Sequence, residues 1–446
     1  MTETQTPLTF LRISWLLLSA VGYLFLAYAV PRTQFGLLMS LLTGLFLGYI
    51  LVLRSLNDSS VLADRFLFAS AIGFRLLLLF ALPQLSDDVY RFVWDGRLLA
   101  HGYNPYLYQP NQLLNTPVAA TCGLDESLLR LLNSPSYFTV YPPVNQALFG
   151  LAAWLSPESL LGNVIWLRIP IVVCEAGSLW LMVKLLRWLN MHPNLALLYG
   201  LNPLVILELT GNLHAEAIMI FFVILAAWLL VAYDRWIASA GALALAIGTK
   251  LLPLLLLPLI IRRLGWRKGL GYALLAGALT MALFAPFASL DLARNVFSSL
   301  NLYFQKFEFN ASVYYVLRAI GYWVKGYNAI ERIGFWLSVT TTLSVLWIAF
   351  CWRTATSVQL IATLTVYFAF ATTVHPWYVT TLVAASAFTR FRYPIVWSAL
   401  IPLSYFTYHT QPYEEYLWLT GAEYIVVLGA ALYQRNPSNG SKSLGF

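Results

Sequence analysis

Long apolar stretches recur from one end of the chain to the other. Phe10 to Val30, Phe35 to Leu53, Phe335 to Cys351 and Leu417 to Leu432 each approach the roughly 20 residues that a helix needs to cross a bilayer. Val164 to Val183, Leu195 to Leu209, Ile218 to Val231 and Leu270 to Pro286 continue the series, whereas Leu148 to Leu155 is too short to span. The pattern predicts an all-α polytopic membrane bundle of about 11 to 14 transmembrane helices, with residues 1–446 forming a single integral membrane domain. One apolar run is interrupted by Gly248, Thr249, Lys250 and Pro253. That interruption predicts two half-length helices meeting near Lys250, a break tolerated within a membrane where it lines a cavity. The first stretch has only Arg12 near its start and no small-residue cleavage site, so it reads as a retained helix rather than a removed signal peptide.

Composition agrees with this reading. The 446 residues are 60% hydrophobic and 10% charged, with a mean hydropathy of +0.70, against about 25% charged residues in soluble globular proteins. The formal charge of +8 points to cytoplasmic loops and anionic lipid rather than to nucleic acid. The basic clusters are Arg12, Arg54 with Arg65, Lys184 with Arg187, Arg262 to Lys268, Arg390 with Arg392, and Arg435 with Lys442. Placing them inside puts residues 84–141, the longest polar loop, on the external face, together with 288–310 and His375. Cys122, Cys174 and Cys351 are odd in number and suggest neither a disulfide framework nor a thiolate metal site.

Chemistry concentrates at the start of that loop, in Ser86, Asp87, Asp88, Tyr90, Arg91, Trp94, Asp95 and Arg97. A helix capped by Ser86 puts Asp88, Arg91 and Asp95 on one face and brings Asp87 within i,i+4 reach of Arg91. The helix macrodipole favours an ionised Asp87 or Asp88, the state that a general base requires, with Arg91 and Asp95 in support. The plain alternative is an ion-paired loop helix lying at the membrane surface. Tyr103, Tyr106 and Tyr141 flank the segment as interfacial anchors or as stacking surfaces for a sugar.

Polar residues within an apolar chain are functional candidates by default, which singles out Glu175, Glu208, Asn212, His214, Glu216, Lys250 and His375. Lys250, at its helix break, either presents an ammonium to a phosphate or snorkels to an interface. His375, followed by Trp377 and Tyr378, begins a span on the same face as the aspartates and can donate to a phosphate or sugar oxygen. His214 and Glu216, two apart, point away from each other on a helix, which argues against a shared metal. The chain has no Gly-rich phosphate loop and no clustered His or Cys ligands, so neither a nucleotide fold nor a metal or other cofactor is expected.

The segments SDDVYRFVWDGRLLAHGYNPY, YPPVNQALF, LNPLVILELTGNLHAEAI, GTKLLPLLLLP and VHPWY occur in this order. Together they resemble the GT-C superfamily of membrane glycosyltransferases, especially polyprenyl-phosphate-mannose-dependent mannosyltransferases. The resemblance implies transfer of a sugar, most often mannose, from a polyprenyl-phosphate donor to a glycan or lipid-linked acceptor. It places the site on the external or periplasmic face of a bacterial inner membrane. It maps the catalytic base to Asp88, with Asp87 as the adjacent alternative. Lys250, His375 and Arg91 are then the candidates for the donor phosphate, and Asp95, Tyr141, Asn212, His214, Glu216, Trp377 and Tyr378 for other substrate contacts. The chain departs from the family at GNLHAEA, where relatives carry a Gly, His, Asn and Asp run. A transporter or lipid flippase is the alternative class, and it explains the apolar composition but not the acidic, aromatic loop.

Overall fold

The computed structural model describes residues 5–56, 62–410 and 412–435, and Lys442 lies outside the described residues. The described chain is an all-α membrane bundle whose sole β feature is a parallel bridge between Phe309 and Thr373. Among the described residues six helices are long and apolar enough to cross a membrane: Leu8–Tyr28, Phe35–Arg54, Leu160–Trp188, Glu216–Tyr233, Trp266–Phe287 and Ile330–Phe350. The pair Pro193–Gly200 and Pro203–Gly211, bent by 54°, passes the same test as one broken span. The other apolar runs are carried by shorter pieces, including Trp236–Thr249, Thr356–Phe370 and Pro376–Ser386. Proline stands at the first or second position of many of these pieces, where its missing N–H and fixed φ start a helix and cannot continue one. Leu18, Phe25, Trp180, Leu274 and Trp336 are mostly exposed, as expected for side chains whose solvent is lipid.

The breaks have their polar groups satisfied from neighbouring segments. At Lys250 the backbone is extended, with φ −156° and ψ 142°, and Asn145 Nδ2 donates to the carbonyl of Thr249 at 2.8 Å. Arg168 closes the end of the broken span by donating to the carbonyls of Thr210, Gly211 and Leu79 at 2.7 to 2.9 Å. Buried Glu175 pairs with Arg75 and accepts from Tyr199 and Thr210 at 2.7 and 2.9 Å. Glu175 therefore fixes the packing of three helices, and it does not reach the candidate site.

The polar segment 84–141 folds as the helix Asp88–Ala100 followed by four short turns of helix. It has a small core of its own, in which Trp94 packs with Leu98, Leu113, Ala119, Cys122, Leu124 and Leu132. Its first helix lies on the helix Pro143–Leu155, and Phe92 stacks on Phe149 with centroids 4.5 Å apart. Gly96 makes the contact possible, because a Cβ there would stand 2.3 Å from the carbonyl oxygen of Phe149. Residues 288–310, read from sequence as a loop, contain the helix Leu292–Lys306.

Candidate active site

Asp88 is the first residue of its helix, and Ser86 Oγ accepts from the Asp88 backbone N–H at 3.3 Å. The helix is thus held near its start by Ser86, as the sequence suggests, although Asp87 occupies the cap position. Asp88 Oδ1 accepts from Asn133 Nδ2 at 2.7 Å, and the hydroxyl of Tyr141 also hydrogen-bonds the carboxyl. Oδ2 faces His214 Nε2 at 4.0 Å. Burial pushes the Asp88 carboxyl above the ordinary aspartate range, and the negative charge of Asp87 adds to this. The bonds from Asn133 and Tyr141 and the charge of Lys250 offset only part of that rise. Desolvation therefore outweighs the helix-terminal effect expected from sequence and makes Asp88 a stronger base than a surface aspartate.

The other acidic residues of the loop are engaged elsewhere. Asp87 pairs with Arg32, in the turn between the first two spans, rather than with Arg91. Arg91 and Asp95 form a buried i,i+4 pair at 2.8 Å. Arg91 also donates to the carbonyls of Ser134 and Tyr137, and Asp95 accepts from Gln146 at 3.1 Å. This pair binds the loop to itself and to the next helix.

Opposite Asp88, four rings form a column. His214 stacks on Trp377 with centroids 3.8 Å apart, Trp377 on His375 at 4.4 Å, and His375 on Phe309 at 4.8 Å. His375 Nδ1 is buried without a hydrogen-bond partner among the described residues. The bridge between Phe309 and Thr373 holds the far end, through Val374 N–H to Phe309 O at 2.8 Å and Phe309 N–H to Thr372 O at 3.0 Å. At the near end, Leu213 adopts φ +62°, a conformation that costs a non-glycine residue about 1 to 3 kcal/mol and clusters at functional sites. Asn212 clips this turn in place: its Oδ1 accepts from Leu85 N–H at 3.0 Å, and its Nδ2 donates to Leu207 O at 3.0 Å. Asn212 and buried Glu208, which accepts from Tyr405 at 2.6 Å, therefore shape the site.

Lys250 pairs with Glu216 and lies 4.1 Å from the ring centroid of Tyr378. His214 lies in the turn before the helix that begins at Glu216 and faces Asp88, whereas Glu216 meets Lys250. An apolar groove is lined by Met219, Ile220, Leu252, Pro253, Thr381 and Phe388 among others. Glu216, Lys250 and Tyr378 each precede lining residues by two to four positions on three different segments. Among the described residues no group of three or more His, Cys, Asp or Glu side chains could hold a metal ion.

The family model described as alpha-(1->6)-mannopyranosyltransferase, N-terminal domain, matches residues 13–264, more than half of the chain. The chain belongs to this mannopyranosyltransferase family. Alpha-(1->6)-mannopyranosyltransferase A of Corynebacterium glutamicum is 24% identical over 258 residues, 55% of this chain and 50% of that protein. The B protein of the same organism is 28% identical over 148 residues, 32% of this chain and 23% of that protein. The A protein of Mycobacterium tuberculosis is 27% identical over 231 residues, 49% and 42% of the two chains. The chain thus spans half or less of the length of these relatives. No solved structure matches. The part of this mannopyranosyltransferase family member covered by the match carries Asp88, His214, Glu216 and Lys250, while His375, Trp377 and Tyr378 lie beyond it. Sequence reasoning missed Arg32, Asn133 and Phe309. Arg32 alone left a signal, as an arginine in a turn that the charge count places on the external face.

Proposed function

We propose that the chain transfers mannose from a polyprenyl-phosphate carrier to a glycan or lipid-linked acceptor, with inversion, at the external face of a bacterial inner membrane. In this reading residues 84–141 form the catalytic loop. Family membership and the names of the relatives support mannosyl transfer. The observation that carries the donor assignment is the ammonium of Lys250 two residues before Leu252, where its segment begins to line an apolar groove. A site of that shape accepts an anionic head and a hydrocarbon tail, whereas a nucleotide sugar has no apolar tail to fill the groove.

In the reaction, Asp88 takes the proton of an acceptor hydroxyl as that oxygen bonds to the anomeric carbon. The bond from this carbon to the phosphate oxygen breaks, and polyprenyl phosphate leaves with the electron pair. Lys250, with His375, offsets the charge developing on the phosphate. Asp87, the carboxylate adjacent to Asp88, is held by Arg32 rather than left to act as a nucleophile. This favours a single displacement, and hence inversion. Membranes containing the protein should incorporate label from polyprenyl-phosphate mannose and none from a nucleotide-linked mannose under lipid-carrier depletion. Incorporation from the nucleotide donor alone would overturn the assignment.

A further inference from the structure

Two proton acceptors converge on one point of this site. His214 Nδ1 lies 2.8 Å from the backbone carbonyl of Glu208, so Nδ1 carries the proton that donates to it and Nε2 presents a lone pair. That Nε2 is buried and has no hydrogen-bond partner among the described residues. It is aimed at Asp88 Oδ2, while Asn133 engages Oδ1. An imidazole that serves only as packing does not leave a lone pair buried opposite a carboxylate, since neither group can donate to the other. The arrangement is satisfied once a proton stands between them.

We infer that His214 is the proton-accepting partner of Asp88, so that the proton taken from the acceptor hydroxyl passes through the carboxyl to the imidazole. This rests on Asp88 being the base in the proposed transfer. The acceptor O–H bond breaks and an Oδ2–H bond forms. The Oδ2–H bond then breaks as Nε2–H forms, leaving an imidazolium and a regenerated carboxylate. On the far side of the ring the bond from Nδ1–H to the Glu208 carbonyl is unchanged, and the Glu208 carboxyl stands 3.5 Å from Nδ1. The stack on Trp377 keeps the ring in the plane that points Nε2 at Asp88. The proton leaves to water when the products depart. The relay lets Asp88 accept in its ionised form at every turnover, although its buried setting favours the neutral acid.

The test uses the full-length protein in membranes or detergent. His214→Asn retains an N–H for the Glu208 carbonyl but has nothing at the Nε2 position, and His214→Gln provides a second variant should the first fail to fold. Expected are a fall in kcat of at least about tenfold with the donor KM within about twofold. Single-turnover rates in mixtures of light and heavy water should bend downward for the wild type, reporting two protons in flight, and become linear in the variant. Wild-type kcat in either folded variant, a change confined to KM, or a linear dependence in the wild type overturns the relay. Asp88→Asn, measured alongside, separates the two readings: if that variant is active, the base assignment itself fails.

Discussion

The guanidinium of Arg32 donates to the carboxylate of Asp87 and lies 4.2 Å above the ring centroid of Tyr408. The carboxyl of the next residue, Asp88, instead meets Asn133 and Tyr141 and turns Oδ2 to His214. Two adjacent aspartates that the sequence does not distinguish thus have different surroundings. Asp87 ties the turn between the first two spans to the loop helix, and Asp88 faces the interior of the site.

Arg32→Gln and Asp87→Asn should therefore reduce transfer moderately, by up to about tenfold, and lower thermal stability by about 1 kcal/mol, the scale of a partly exposed pair. Parallel transfer assays and melting curves would check this. Complete loss of transfer in Asp87→Asn, with the fold retained, would move the base by one residue.

The surroundings of Asp88 set the pH response. Only its ionised form accepts a proton, and its carboxyl is raised above the ordinary value of about 3.9. The rate is therefore full above the raised value and falls as pH drops through it, so the acid limb lies higher than for an exposed aspartate. Asn133→Ala removes a bond that favours the charged form, and its acid limb should move to still higher pH. Asp87, Lys250, Tyr141, His214 and Tyr408 are titratable groups that act on or face Asp88, and they are unchanged in that variant. An unmoved limb in rate profiles of the two proteins would remove Asp88 from the rate-limiting titration.

Lys250 combines a structural and a functional role that substitutions can separate. Lys250→Met leaves the Glu216 carboxylate, whose side chain is 3% exposed, without its cation, at a cost of about 3 kcal/mol. Adding Glu216→Gln should restore most of that stability, because a neutral amide needs no counter-charge. The double variant should then fold normally yet keep a raised KM for the lipid-phosphate donor. Full recovery of donor affinity would reduce Lys250 to a structural ion pair.

How much was legible in the sequence varies with the range of the interaction. The membrane bundle, the break at Lys250 and the weight given to the Asp88 segment follow from local contrast, since polar residues stand out in an apolar chain. The pairing of Arg91 with Asp95 follows from i,i+4 spacing. The same rule offered Arg91 to Asp87, and a contact from 55 positions away took that carboxylate instead. Asn133 and Phe309 reach the site only through tertiary packing and carry no signal of their own. The helix Leu292–Lys306 was hidden because its polar content reads as a loop when only long apolar runs are counted.

The most direct measurement is transfer of radiolabelled mannose from polyprenyl-phosphate mannose by membranes carrying Asp88→Asn beside wild type, with equal amounts of folded protein confirmed by size-exclusion profile. The carboxamide keeps the shape and can still meet Asn133, but it cannot take a proton, so transfer should fall by at least about 10²-fold. Turnover within a few-fold of wild type would contradict the account.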